Sequence, residues 1–201
     1  MKLGWAKRAG CLAAVVLTLS GCVDVNLDVA VGDNDVVTGT MTQVMDADTY
    51  TMFKAGAESR NGRDFCMESG AELVQNADGS ATCTIVRTGT WSGLAFNEER
   101  HKETVSISDE GNGQVRVAFP VTEMVNALSN KKQMDEQARS MLVAMFQGHA
   151  LTLTVSGGEI VETNMDLQPG AASAEKKLDF LDLLNGAPNL PKEYYAVVKV
   201  K

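Results

Sequence analysis

Val23-Asp24-Val25-Asn26-Leu27-Asp28-Val29-Ala30-Val31 alternates apolar and polar residues almost without a break. Side chains of an extended chain point to opposite faces in turn, so this spacing predicts a strand with one buried face and one wet face. Gly32-Asp33-Asn34-Asp35 follows as a cluster of turn formers. Residues 36–44 read as a second strand, closing a hairpin. An opening antiparallel hairpin of this kind sets the expectation for the rest of the chain.

Immediately before the first strand stands Leu19-Ser20-Gly21-Cys22. Farther upstream, Lys2, Lys7 and Arg8 precede the short apolar run from Cys11 to Leu19. A basic segment, an apolar segment and small residues at a cleavage point are the parts of a secretory signal. The run is far shorter than the roughly 20 residues a helix needs to cross a bilayer. The tetrapeptide resembles the bacterial lipobox, in which the cysteine receives diacylglycerol and becomes the first residue after cleavage. Residues 1–21 are therefore expected to be a signal peptide, cut between Gly21 and Cys22, with Cys22 the site of lipid attachment. Residues 22–201 are expected to form a single exported domain, held at a membrane by its lipid. Val23 is not an aspartate, and by resemblance to lipoprotein sorting in Gram-negative envelopes this favours the outer membrane facing the periplasm. The other expected location is the outer side of the cytoplasmic membrane.

Removing 21 of 201 residues leaves 180, enough for a substantial core. The signal holds three cations and no acid, so a net charge of −8 becomes about −11 after cleavage. Such a chain repels phosphate backbones, and no nucleic-acid partner is expected. Of four cysteines, Cys11 leaves with the signal and Cys22 takes the lipid. Cys66 and Cys83 remain, an even pair in an oxidising compartment, and a disulfide between them is expected. A redox pair usually has the Cys-x-x-Cys spacing. A zinc site lacks nearby partners, because His101 and His149 are the only histidines and stand far from either cysteine.

Downstream, residues 47–57 read as a weak helix with Tyr50, Phe53 and Ala57 on one side. Residues 72–75 and 81–90 flank the turn Asn76-Ala77-Asp78-Gly79, and residues 104–108 and 114–119 flank Asp109-Glu110-Gly111-Asn112-Gly113. Helical spacing begins near Val121, and Met134, Ala138, Met141, Leu142 and Met145 share one helix face. Residues 151–155 read as a strand that Gly157-Gly158 turns back into a hairpin. Residues 169–175 read as a polar loop, 179–184 as a short helix, and 194–201 as a final strand. The sum is an α+β fold, mainly an antiparallel sheet of about eight strands in hairpins with two or three packed helices.

Little of this writes out chemistry. Gly89-Thr90-Trp91-Ser92-Gly93 lacks the spacing of a nucleophile elbow. Asp24, Asn26 and Asp28 form a polar stripe on the first strand, and the acidic turns lack EF-hand spacing. His149 fits a helix end, and His101 lies in a charged run. No catalytic residue, metal or cofactor is expected. Met134, Met141 and Met145 invite two readings. The helix packs an ordinary apolar face on the sheet, or it forms a flexible lid whose methionines touch acyl chains.

The lipobox, the Asp-rich strand Cys22–Val29, Gly39-Thr40-Met41, the Cys66 region, Gly89–Phe96 and Val155-Ser156-Gly157-Gly158 occur in an order that resembles the LppM-type lipoprotein domain family. That resemblance implies a barrel-like exported α+β domain, binding of a lipid or glycolipid, and no catalysis. The expected function is a non-enzymatic, membrane-anchored envelope lipoprotein that binds an amphiphilic ligand. The alternative is a structural or assembly lipoprotein that binds envelope protein partners.

Overall fold

A computed structural model describes residues 23–60, 65–91, 105–128 and 136–200. The opening hairpin forms as its alternation requires. β1 (Val23–Val31) pairs antiparallel with β2 (Val37–Met45), with Val23 opposite Met45 and Val31 opposite Val37. The turn between them uses Asn34 and Asp35 at φ near +60°, a conformation these residues tolerate better than most. Leu27, Val29 and Val31 point into the core, while Asp24, Asn26 and Asp28 face outward.

Eleven strands and four helices are present among the described residues. α1 (Ala47–Arg60) follows β2 and leads to β3 (Ala71–Gln75) and β4 (Ala81–Gly89). Asp46 caps α1, accepting a hydrogen bond from the Thr49 backbone N–H at 2.9 Å. β5 (Ser106–Gly111) and β6 (Gln114–Pro120) form the next hairpin, followed by α2 (Val121–Leu128) and α3 (Glu136–Phe146). Gly148 follows α3 with φ +85°, where a helix-ending glycine is expected. β7 (Ala150–Ser156), β8 (Glu159–Thr163), β9 (Asp166–Leu167), β10 (Ser173–Asp179), α4 (Phe180–Asn185) and β11 (Glu193–Lys199) complete the chain.

The strands make two sheets, ordered β3-β4-β2-β1-β7-β10-β9 and β5-β6-β11-β8. All pairings are antiparallel except β1 with β7. One core lies between the sheets. Leu27, Val29, Leu153 and Val155 enter it from the first sheet, and Val117, Phe119, Ala196 and Val198 from the second. Val121, Phe180 and Leu183 add the helices to the same core. A smaller cluster forms where Tyr50 of α1 packs on Met45 and Ala81, closed by Val23, Phe65 and Leu73.

The structure corrects three sequence expectations. First, Gly157-Gly158 is not a hairpin turn: β7 belongs to the seven-stranded sheet and β8 to the other. Both glycines stand at a corner too tight for side chains. A Cβ on Gly157 would meet the backbone of Val31, and one on Gly158 would meet the carbonyl of Lys199. The chain returns to the first sheet at Asn164, whose side chain replaces backbone in the ladder. It donates to the Glu193 carbonyl at 3.0 Å and accepts from the Tyr195 N–H at 2.8 Å. Second, residues 173–175 are not loop but the start of β10, an inner strand bonded to β7. Third, the sheets do not close into a barrel. β3 and β5 each pair on one side only and remain edges, whereas closure would require every edge to find a partner.

Cys66 and Cys83 are joined by a disulfide across a separation of 17 residues. Cys83 is buried on β4, between Gln43 of β2 and Leu73 of β3. The bond ties the segment after α1 to the sheet. In the chain-entropy picture a loop of this length contributes about 3 kcal/mol. C66A is therefore expected to lower the melting temperature by about 6–12 °C, at about 2–4 °C per kcal/mol for a chain of this size. An unchanged thermal transition would show that the bond adds nothing to stability.

Candidate functional site

At the end of the seven-stranded sheet where β1 starts, several elements meet. Val23 opens β1 and is hydrogen-bonded into the sheet from its first residue, opposite Met45 at the end of β2. β7 also starts at this end, with Leu151 beside Val25. Asp24 links the two strands, accepting the Ala150 N–H at 3.0 Å. His149 brings Nδ1 to 3.4 Å from the same Asp24 oxygen, and that nitrogen is buried without a well-aligned hydrogen bond. The sequence places His149 at a helix end; the fold adds an acid from a strand 125 positions earlier.

α1 rises from this end. Its inner side is fixed by Tyr50, whose hydroxyl accepts from Gln75 at 3.1 Å. Phe65 stands edge-on to both Tyr50 and Phe53, with ring centroids 6.4 Å away in each case. Lys54 lies 5.6 Å from the Tyr50 ring centre. Three large apolar side chains of this unit are nevertheless left in water: Met52 is 55% exposed, Phe53 38% and Met67 60%. The sequence groups Phe53 with Tyr50 and Ala57 on one side of α1; in the structure Tyr50 is buried and Phe53 is exposed. Single exposed methionines leave no periodic signal, which is why the patch emerges only in three dimensions.

The other expected site residues are distributed as follows. Gly21 and Cys22 lie outside the described residues, as do Met134 and His101. Met141 and Met145 belong to α3, but their side chains are outside the described set. On the same helix Phe146 packs on Phe180 of α4, with ring centroids 4.9 Å apart. Met124, Val125, Phe146 and Leu190 line the helical flank of the core and are only half-buried. Asp35 accepts the Trp91 N–H at 2.6 Å, tying the first turn to the end of β4, and Asp109 accepts the Gly111 N–H at 2.8 Å within its own turn. Among the described residues no group of three or more His, Cys, Asp or Glu side chains is arranged to hold a metal ion. No described helix is long and apolar enough to cross a membrane.

A second polar group emerges on the outer face of the smaller sheet. Arg116 pairs with Glu193 at 2.8 Å and stacks on the Tyr195 ring, 4.1 Å from its centre. The Tyr195 hydroxyl donates to Glu162 at 2.7 Å. That bond to a carboxylate holds the phenol proton and pushes Tyr195 above its ordinary value of 10.0. The associated stability is present below pH about 10 and is lost as pH rises through the folded value. E162Q is expected to move this titration down toward the ordinary range. Ultraviolet difference titration against Y195F isolates it from the other two tyrosines; an unmoved midpoint would contradict the assignment.

No protein-family model matches the chain, and no curated protein sequence matches it. Among solved structures, the NMR structure of the folded domain of the Mycobacterium tuberculosis LppM protein aligns with it. The alignment covers 90% of this chain and 92% of that chain, with 12% sequence identity and a TM-score of 0.42.

Proposed function

We propose that this chain is a bacterial envelope lipoprotein, anchored through acyl chains on Cys22, that binds an amphiphilic ligand beside its membrane and performs no catalysis. The observation that carries the reading is positional. The lipobox ends at Cys22, and β1 begins at Val23 with its backbone already paired. No spacer separates the lipid from the folded domain, so the domain works within its own diameter of the bilayer surface. A ligand drawn from that bilayer would meet the half-buried apolar flank of α2, α3 and α4, where Met124, Val125, Phe146 and Leu190 border the core. Met141 and Met145 remain the proposed lid contacts on α3, with Met134 just before that helix, because flexible thioethers adapt to acyl chains of varied shape. The acidic surface favours neutral, zwitterionic or glycosylated headgroups over anionic ones.

The test is extraction. The domain is purified without its own lipid, and bound organic material is measured by mass spectrometry. A near-stoichiometric lipid or glycolipid is the expected result; a clean protein that takes up no added lipid overturns the ligand half of the proposal.

A second reading is favoured by the outer face of the large sheet. Thr42 and Thr152 flank Asn26 there, and Thr40 and Thr154 flank Asp28. A half-exposed hydroxyl face of this kind suits a protein partner in an envelope assembly. Cross-linking from this face to one defined envelope protein would favour that reading over ligand binding.

A further inference from the structure

We infer that the Met52, Phe53 and Met67 face of the α1 unit rests in the interfacial layer of the same bilayer that holds the Cys22 lipid, fixing how the domain stands on its membrane. The inference rests on the lipid-anchor reading and adds an orientation to it.

The geometry is closely constrained. Adjacent Cα atoms are about 3.8 Å apart, so Cys22 lies one such step from Val23. Val23 itself is packed into the small cluster that α1 roofs, beside Met45, Tyr50 and Phe65. Met45 is the register partner of Val23, and α1 begins two residues after it. Val23, the residue bonded to the proposed lipid attachment point, and the foot of α1 are therefore neighbours. Met52 lies five residues beyond the first residue of α1, a rise of about 8 Å at about 1.5 Å per residue. Met52 therefore stays within about one and a half helical turns of the end of the sheet where β1 starts.

The chemistry of the face agrees. Two methionines and a phenylalanine are exposed, although each would gain by leaving water. Lys54, on the same helix, lies against Tyr50, and its long aliphatic stem can keep the ammonium at headgroup level while its carbons are buried. The disulfide from Cys66 holds Met67 to the sheet, so this face is rigidly attached to the anchor strand. At the far end of β1 the chain shows the opposite character, with Asp33, Asn34 and Asp35 exposed in the turn. Nine strand residues at about 3.3 Å each place that turn about 30 Å from the anchor.

The test uses the full acylated protein, purified from membranes and reconstituted in phosphatidylcholine vesicles that contain doxyl-labelled phosphatidylcholine. A fluorophore is attached to M52C, to M67C and, in a separate protein, to D33C. Flotation of each protein with the vesicles is measured first. Flotation with severalfold stronger quenching of the M52C and M67C labels than of the D33C label is the expected result. Flotation with equally weak quenching at all three positions overturns the orientation while leaving the anchor intact. Loss of flotation in the unlabelled parent protein overturns the anchor reading and the orientation with it.

Discussion

Replacing Gly157 with alanine is expected to prevent the domain from reaching its native state. Gly157 follows β7 at φ +107°, a backbone conformation that side-chain-bearing residues rarely adopt. The conformation alone costs about 1–3 kcal/mol for a residue with a Cβ. The larger cost is steric. The added methyl would come within 2.6 Å of the Val31 nitrogen and 2.8 Å of its carbonyl carbon, as well as onto the carbonyl oxygen. Those are backbone atoms of β1, which is bonded on one side to β2 and on the other to β7. Neither central strand can move away without breaking a ladder. A single substitution costing more than about 4–5 kcal/mol is exceptional. Here it consumes most of a stability that is only about 5–15 kcal/mol for a typical domain. G170A is the matched control. Gly170 also has positive φ, at +80°, but its Cβ would meet open space. That variant is expected to fold and to melt only a few degrees lower. Near-ultraviolet circular dichroism and soluble yield distinguish the two, and a folded G157A protein of normal melting temperature would contradict the corner described between the sheets.

The second large effect is expected from C22S. Two acyl chains of about 15 methylenes each, at about 0.8 kcal/mol per methylene, give anchoring on the order of 20 kcal/mol. A serine hydroxyl cannot form the thioether that carries the glyceride. Incorporation of a labelled fatty acid should fall to background. The chain should also pass from the detergent phase to the aqueous phase on partition, because the nine-residue apolar run from Cys11 to Leu19 is too short to span a bilayer. Unchanged acylation and partition in C22S would mean that Cys22 carries no lipid. The fold should be indifferent to the change, since Val23 begins β1 regardless of what precedes it.

These two variants also mark what the sequence could and could not reveal. Alternation in residues 23–31 and 114–119 is local, so β1 and β6 were legible, as were the hairpins formed with their neighbours. The parallel pairing of β1 with β7 was not, because it joins segments more than a hundred residues apart and neither carries a sign of its partner. A Gly-Gly pair permits many turns, and only the approach of Val31 shows which one Gly157 makes. β10 is hidden in the sequence for a different reason. Ser-Ala-Glu-Lys-Lys-Leu-Asp is built from residues that favour helices or loops, and only Ala174 and Leu178 are buried. Its strand state comes from the ladder to β7, where tertiary pairing outweighs local preference. Among the candidate site residues, Cys66 and Cys83 could be paired by counting cysteines. The exposure of Met52, Phe53 and Met67 could not be found that way, because it depends on how α1 and Phe65 pack on the sheet.

If the domain is anchored as proposed, it starts at a lipid-bearing cysteine. The most direct measurement is the intact mass of the protein purified from membranes of cells expressing the full chain. A species that lacks residues 1–21 and carries a diacylglyceryl group on Cys22 is the expected result. A mature chain that begins at any other residue, or one with an unmodified Cys22 thiol, would contradict the account.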